Sequence, residues 1–386
     1  MAEAAISRTC TPMSDPTARY KMHIVFIMHM RIATIYLGRR GGGNLYTFYL
    51  ARAIQRIIGV KQRLFLQGNM ENLRMFKKER FDIQEFGTFD KGVLDFVKIP
   101  FRLAKLKRAI EKFDPEIIYV PMFNPYIPFL FKLFPNVKKI YTLHGVTSRG
   151  GRTRTVLENR WQEQAITSSD YVITLSRHYQ KWMKKRFPKK KTFLLPHPVF
   201  EYYSQLGKGR MVQGEYILFI GRVGEKYKGF DIMQQAFEHI RRKVPLKLVV
   251  AGKQERPSKI RGGRYRFKDK WLSDSEFASL IRHAWVVCLP YTEPTPSGVV
   301  AAALALHRPI VASDLPGLNE QIVHGKNGIL VPADKMMPLA GALEKLYSDK
   351  HRYARLERGA EAMAEQFSVR SISRKLAPIL KEVRKA

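Results

Sequence analysis

Arg222 and Lys228 stand six residues apart in "GRVGEKYKGF" (221–230), on a turn that closes an apolar run. A planar guanidinium fork and a mobile ammonium at the end of a strand suit a diphosphate, and the intervening turn lets Lys228 fold back beside Arg222. A solvated basic turn would look the same in sequence. The second candidate is "YTEPTPSGVVAAALAL" (291–306), a Pro- and Thr-rich turn that runs into an almost wholly aliphatic helix. The first amides of a helix, Ser297-Gly298-Val299-Val300 here, carry unsatisfied N–H groups and the positive end of the dipole, and so attract anions. Gly298 would let a ligand approach the backbone, while Thr295 or Ser297 would equally cap a merely buried helix. Glu293 is the single carboxylate of that turn. The third candidate is "GRRGGGN" (38–44), where Gly41, Gly42 and Gly43 allow close backbone approach or simply a flexible surface loop. It lacks the G-x-G-x-x-G spacing and lies well after the strand expected at "HIVFIMHM" (23–30). The fourth is His144, at the end of "YTLHG" (141–145), a position open to a structural or a catalytic role.

These residues need elements that bring them together. Apolar runs of strand length occur at 23–30, 116–123, 139–145 and 170–176, with amphipathic stretches such as "FVKIPFRLAKLKRAIEKF" (96–113) between them. The pattern pauses at "FLLPHPVFEYYSQLGKGRMVQGE" (193–215), which reads as a linker. It resumes at "YILFIGRV" (216–223), "LKLVVAGK" (246–253), "WVVCLPY" (285–291) and "PIVAS" (309–313). Buried strands alternating with helices predict α/β architecture with parallel, doubly wound sheets. Two such halves would face each other across a cleft, with ligands at the carboxyl ends of the strands. The expected divisions are a disordered extension over 1–20, a first domain over 21–197 and a second over 198–369.

Composition sets the remaining bounds. A chain of 386 residues with 45% hydrophobic content is globular and long enough for two domains. Cys10 and Cys288 cannot make a disulfide framework, so a reducing, cytoplasmic setting is expected. No run approaches the roughly 18 apolar residues of a membrane span. The net charge is +35, and residues 1–195 hold 36 Lys and Arg against 14 Asp and Glu. Such a field attracts polyanions, whether nucleic acid, anionic lipid or phosphorylated substrates. Zinc-ligand spacing and aromatic-basic nucleic-acid segments are missing from the sequence, so a nucleic-acid partner is disfavoured. The basic amphipathic run 96–113 and "MKKRFPKKK" (183–191) would suit the inner face of an anionic membrane. The basic loop 252–267 has no assigned role.

Taken in chain order, these motifs resemble the family 4 retaining glycosyltransferases of the GT-B fold. The resemblance rests on "GGG" 41–43, His144, "SDYVITLS" 169–176 and "ILFIGRVGEKYKGFDIMQQAF" 217–237. It continues through "WLSDSEFASLIRHAWVVCLPY" 271–291, "PIVASDLPGLNEQIV" 309–323 and "GILVPAD" 328–334, and so spans about residues 22–370. It implies two Rossmann-like domains, with a final helix over 370–386 packed back onto the first. It also implies retaining hexosyl transfer from a nucleoside diphosphate sugar to a glycan or lipid-linked acceptor, of the kind used in polysaccharide biosynthesis. No metal or cofactor beyond that co-substrate is implied. Arg222 and Lys228 would stabilise the leaving diphosphate, His144 would contact the sugar, and Gly42, Gly43, Gly221 and the 297–300 helix start would hold the donor.

The chain departs from the family at one place. Most members carry two glutamates, E-x7-E, where counting back from "PIVAS" finds Pro294 and Ala302. This is an acid-free variant, in which Glu293 would substitute for the first acid and Thr295 or Ser297 would reach the ribose. The alternative function is a non-catalytic or weakly active protein of this fold that binds anionic lipid or nucleic acid through its basic surface. An epimerase would call for more ionisable groups near the anomeric carbon than these motifs supply, and a phosphorylase for a second anion site or a cofactor, for which no lysine is marked.

Overall fold

The computed structural model describes residues 29–87, 93–145, 156–252, 265–268 and 270–385. The expected extension over 1–20 and most of the basic loop 252–267 lie outside them. The chain forms two parallel sheets flanked by helices. The first contains β1 (Met30–Tyr36), β2 (Val60–Gln67), β3 (Asp82–Phe86), β4 (Ile117–Val120), β5 (Lys138–Leu143), β6 (Tyr171–Thr174) and β7 (Lys191–Leu194). Its order is β3-β2-β1-β4-β5-β6-β7. The second contains β8 (Tyr216–Ile220), β9 (Lys247–Ala251), β10 (Tyr265–Lys268), β11 (Val286–Leu289), β12 (Ile310–Ser313) and β13 (Gly328–Val331). Its order is β10-β9-β8-β11-β12-β13. Each order reverses beside its first strand, β1 or β8, and opens a crevice at the carboxyl ends there.

Helices α1 (Gly42–Gln55), α2 (Leu73–Lys78), α3 (Val93–Phe113), α4 (Ile127–Lys132), α5 (Val156–Ser168) and α6 (Arg177–Arg186) accompany the first sheet. Those of the second are α7 (Phe230–Ile240), α8 (Asp274–Arg282), α9 (Gly298–Ala305), α10 (Met336–Ser348) and α11 (Lys350–Gln366). The terminal α12 (Val369–Lys385) returns to lie against α1, with Arg384 paired to Glu116 at 2.8 Å and Lys191 to Glu382 at 2.5 Å. Its apolar stripe of Ile372, Leu376, Leu380 and Val383 is buried at the spacing of a helix that packs on one face.

Three readings of the sequence are corrected. The first strand among the described residues is "MRIATIY", which overlaps the expected 23–30 run only at Met30 and pairs with β2 from Met30↔Val60 to Tyr36↔Leu66. The rest of that run, residues 23–28, lies outside the described residues. The glycine loop therefore follows β1 directly, contrary to the expected separation. The 193–215 linker is also more ordered than its prolines suggest. It begins inside β7, and its Glu201–Gln205 segment is a 3-10 turn that packs against α8 and α9. Strands β2 and β3 went unread because "VKQRLFLQ" and "DIQEF", the partly exposed outer two strands on that side of the sheet, mix charged with apolar residues. The short strand β10 falls inside the basic loop.

Candidate active site

A cavity of about 880 Å³ opens between the two sheets. The first sheet contributes Arg40, Gly41, Gly42 and Leu45, and the second contributes Gly221, Arg222, Lys228 and Thr295–Val299. Every one of these follows the carboxyl end of a strand, as expected of a doubly wound sheet.

Arg222 follows β8 by two residues, and its guanidinium is paired to Glu225 at 2.5 Å. Glu225 is 92% withdrawn from solvent, and its other carboxylate oxygen has no hydrogen-bond partner. The pair thus holds Arg222 to a fixed anchor while leaving it half-exposed at the cavity wall. Lys228 closes a 3-10 turn, Lys226–Lys228, and its ammonium donates to the Tyr291 hydroxyl at 2.6 Å. The same ammonium lies 3.9 Å from the centre of the Tyr291 ring and 5.0 Å from that of Tyr227. A cation held over two aromatic rings is desolvated on one side and directed on the other.

The helix start is equally constrained. Six of the eight α9 residues, Val300 to Ala305, are buried, and α9 packs against α8, α11 and the 3-10 turn at 201–205. Alanine is required because helices on several sides leave little room for longer side chains. Ser297 caps α9 by accepting from the Val299 N–H at 3.3 Å, and its hydroxyl lies 3.2 Å from the Tyr291 hydroxyl. Since Tyr291 already accepts from Lys228, its own proton is available to Ser297. Lys228, Tyr291, Ser297 and the α9 amides therefore form one connected chain. Gln321 completes it by accepting from the Ser297 N–H at 2.9 Å and donating to the Ser297 carbonyl at 3.4 Å. Asn327 in turn donates to the Gln321 carbonyl at 3.0 Å.

Not every residue singled out in the sequence reaches the cavity. Glu293 does not line it, and one of its carboxylate oxygens is buried and unpartnered. Val300 is turned wholly into the core, and the space beside Gly43 is filled by Tyr36 and Met122. Gly298 lines the cavity, yet a Cβ there would point at the Phe200 ring, 3.2 Å away, so its smallness admits a linker aromatic. His144 also stands back from the cavity. Its ring is edge-on to Tyr46 at 4.4 Å, and its Nε2–H donates to the Pro121 carbonyl at 2.8 Å. Ala302 is fully buried, where a carboxylate would be costly, so the acid-free helix suits its packing.

Sequence reading missed Glu225, Tyr291, Gln321, Asn327 and His197. Glu225 and Tyr291 stood inside the quoted motifs without a chemical reason to stop on them. His197 is buried between Tyr46 and Phe200, 5.4 and 5.2 Å away, and donates from Nδ1 to the Pro198 carbonyl at 2.7 Å. Burial lowers its pKa to about 4, which keeps the ring neutral. Among the described residues no group of three or more His, Cys, Asp or Glu is placed to hold a metal ion.

Family models match both halves of the chain. Residues 40–200 match the family described as Glycosyltransferase Family 4, and residues 214–349 match Glycosyl transferases group 1. A D-inositol 3-phosphate glycosyltransferase of Xylanimonas cellulosilytica is 32% identical over 169 residues, 41% of this chain and 40% of that protein. A phosphatidyl-myo-inositol mannosyltransferase of Mycobacterium leprae is 33% identical over 158 residues, 39% of this chain and 42% of that protein. The chain thus matches less than half the length of these curated relatives. The crystal structure of HepE from Anabaena with UDP and glucose superposes with a TM-score of 0.70 at 18% identity, covering 92% of this chain and all of that one. Sucrose-phosphate synthase from Thermosynechococcus elongatus gives 0.69, also at 18%, covering 92% of this chain and 99% of the other. The two family matches together take in most of the chain, and it belongs to the family 4 (group 1) glycosyltransferases of the GT-B fold.

Proposed function

We propose that the protein transfers a hexose from a nucleoside diphosphate sugar to a glycan or lipid-linked acceptor, with retention of configuration and without a metal. The observation that carries this reading is the convergence of Arg222, Lys228 and the α9 start on one cavity wall. Preorganised cations and amides aimed at a leaving diphosphate supply the electrostatic part of such a transfer, and the opposite wall supplies position. In the step, the bond from the anomeric carbon to the phosphate oxygen breaks. A bond to the acceptor oxygen forms on the same face, and the acceptor proton passes to the leaving phosphate. Gly41 and Gly42 line the opposite wall, where their loop would close over the donor phosphates and the acceptor. His144 reaches the sugar only after local movement, since its Nε2–H is engaged by Pro121.

Relatives named for D-inositol 3-phosphate and phosphatidyl-myo-inositol support a phosphorylated polyol or a lipid headgroup as the acceptor class. A peripheral membrane position is favoured by α3. Leu106, Ile110 and Phe113 pack on the sheet, while Phe101 is 78% exposed among exposed Lys105 and Arg108. An exposed aromatic within a basic face suits an anionic interface. No helix among the described residues is long and apolar enough to cross a membrane.

Thermal stabilisation by UDP, GDP, ADP and TDP, with chelator present, tests the donor reading. One nucleotide should raise the melting temperature, and Arg222→Ala should abolish the shift; a ligand at 100 times its Kd adds about 2.7 kcal/mol. If none of the four stabilises the protein, the reading is lost. Sedimentation with phosphatidylglycerol vesicles at low salt tests the membrane position, and Phe101→Ser should reduce it.

A further inference from the structure

We propose that Tyr179 and Glu320 are positioning residues that clasp the first domain to the loop presenting the α9 start. The proposal rests on the reading that this helix start holds the donor diphosphate. The Arg177 N–H, at the first position of α6, donates to both carboxylate oxygens of Glu320 at 3.0 and 2.8 Å. Two residues on, the Tyr179 hydroxyl donates to the Pro294 carbonyl at 2.9 Å. Both contacts cross from the first sheet's helices to the second sheet's loops, and both come from one turn of one helix.

The two segments gripped in this way are the two that shape the donor wall. Pro294 lies three residues before Ser297, the cap of α9. Glu320 immediately precedes Gln321, whose amide holds both the N–H and the carbonyl of Ser297. Gly317, on the same segment as Glu320, is packed so closely that a Cβ would come within 2.7 Å of Pro296 N and Thr295 C. A pull on Pro294 and a pull on Glu320 therefore reach the same serine by two short paths. Other links between the halves, such as the Tyr202 N–H to the Tyr49 hydroxyl and Arg52 to Glu201 at 3.9 Å, join α1 to the linker and leave this loop untouched.

The chemistry favours a contact that makes and breaks. Glu320 caps α6 with a carboxylate, whose charge the positive helix end stabilises, and it does so near the surface, where water can replace the contact. Tyr179 is 2% exposed, its N–H accepted by the Ser176 hydroxyl at 3.3 Å, so its own position is fixed by α6. A closed cleft has both contacts, and separation of the halves must surrender them. The loop is then held only from within the second domain, through Gln321, Tyr291 and Gly317, and the donor wall loses its reference to the acceptor side.

Tyr179→Phe and Glu320→Met each remove one contact with little loss of bulk, since neither new side chain offers an oxygen to the contact. Titration calorimetry with UDP and GDP, melting temperature and small-angle scattering with and without nucleotide read the result, with Arg222→Ala in parallel. Each variant should bind its nucleotide 5- to 20-fold more weakly, compact less on binding than the native protein, and keep its nucleotide-free melting temperature within two degrees. Native affinity and native compaction in both variants would overturn the clasp while the Arg222→Ala loss leaves the donor site standing. Undiminished binding by Arg222→Ala would overturn the donor site, and the clasp with it. Glu320→Met lies near the surface and serves if the buried tyrosine variant folds poorly.

Discussion

The two glycine-bearing turns that face each other across the cleft are built in opposite ways. On the first sheet, Gly41 has φ 85° and begins α1 without a side-chain cap, and a Cβ placed on Gly41 or Gly42 would meet nothing within 4 Å. On the second sheet, Ser297 is engaged at its N–H, its carbonyl and its hydroxyl, and Gly317 presses on the preceding residues at φ 90°. One turn is open to whatever enters; the other is a finished shelf. A diphosphate presents the same charges in every turnover, so a preorganised wall lowers the cost of stabilising it. Under the proposed function the open turn also meets the acceptor, and an adaptable turn would tolerate variation in acceptor shape.

The contrast can be broken most severely at Arg222. Arg222→Ala should weaken nucleotide binding at least 100-fold, by calorimetry, because it removes the fork and leaves Glu225 buried and uncompensated. Next comes Gly317→Ala, which adds a Cβ to a left-handed residue in contact with Thr295 and Pro296. Denaturant unfolding should report a loss of about 3 kcal/mol, with donor affinity lost as well.

His197 tests the ground between the turns, since its ring lies between Tyr46 of α1 and Phe200 beneath Gly298. Its pKa falls from 6.5 unfolded to about 4 folded, so the unfolded chain binds the extra proton in that window. Stability attributable to this ring should therefore be complete above pH 6.5 and fall by about 3 kcal/mol as the pH drops toward 4. His197→Gln should flatten that slope in urea titrations at pH 7 and 5.

Gln321→Ala leaves the buried Ser297 N–H without its acceptor and should cost about 1–2 kcal/mol, with roughly 10-fold weaker nucleotide binding. The smallest effect on folding belongs to Gly42→Ala. It should leave stability unchanged or raise it by about 0.5 kcal/mol, because the site is helical and open, while slowing sugar transfer. A large stability loss there would show that the open turn is as constrained as the shelf, and the comparison would fail.

Much of the architecture was legible before any coordinates. Fully buried strands of parallel sheets read as continuous apolar runs, so β4, β5, β6, β8, β9, β11 and β12 stand out in the sequence. Arg222 and Lys228 were legible because charges at strand ends are conspicuous. The residues that hold them were not. Tyr291 reads as one more apolar residue at the end of "CLPY", and Gln321 is an ordinary amide thirty residues further on. Their importance comes from hydrogen bonds to Ser297 and Lys228, and spacing in the chain encodes no such contact. Glu293 illustrates the reverse: it stands near the family's acid position in sequence, yet it does not line the cavity.

What the sequence by itself determined is the alternation of strand and helix, the α/β class and the positions where charge meets a strand end. All of these depend on local periodicity and on residue type. The tertiary structure alone decided that Met30–Tyr36 forms β1, through its pairing with β2 and β4. It also decided that Gly298 faces Phe200, that His197 stays neutral, and that α6 reaches across to Pro294 and Glu320. Each of these depends on groups far apart in the chain meeting at a distance of a few ångströms, where desolvation and hydrogen-bond geometry outweigh local preference.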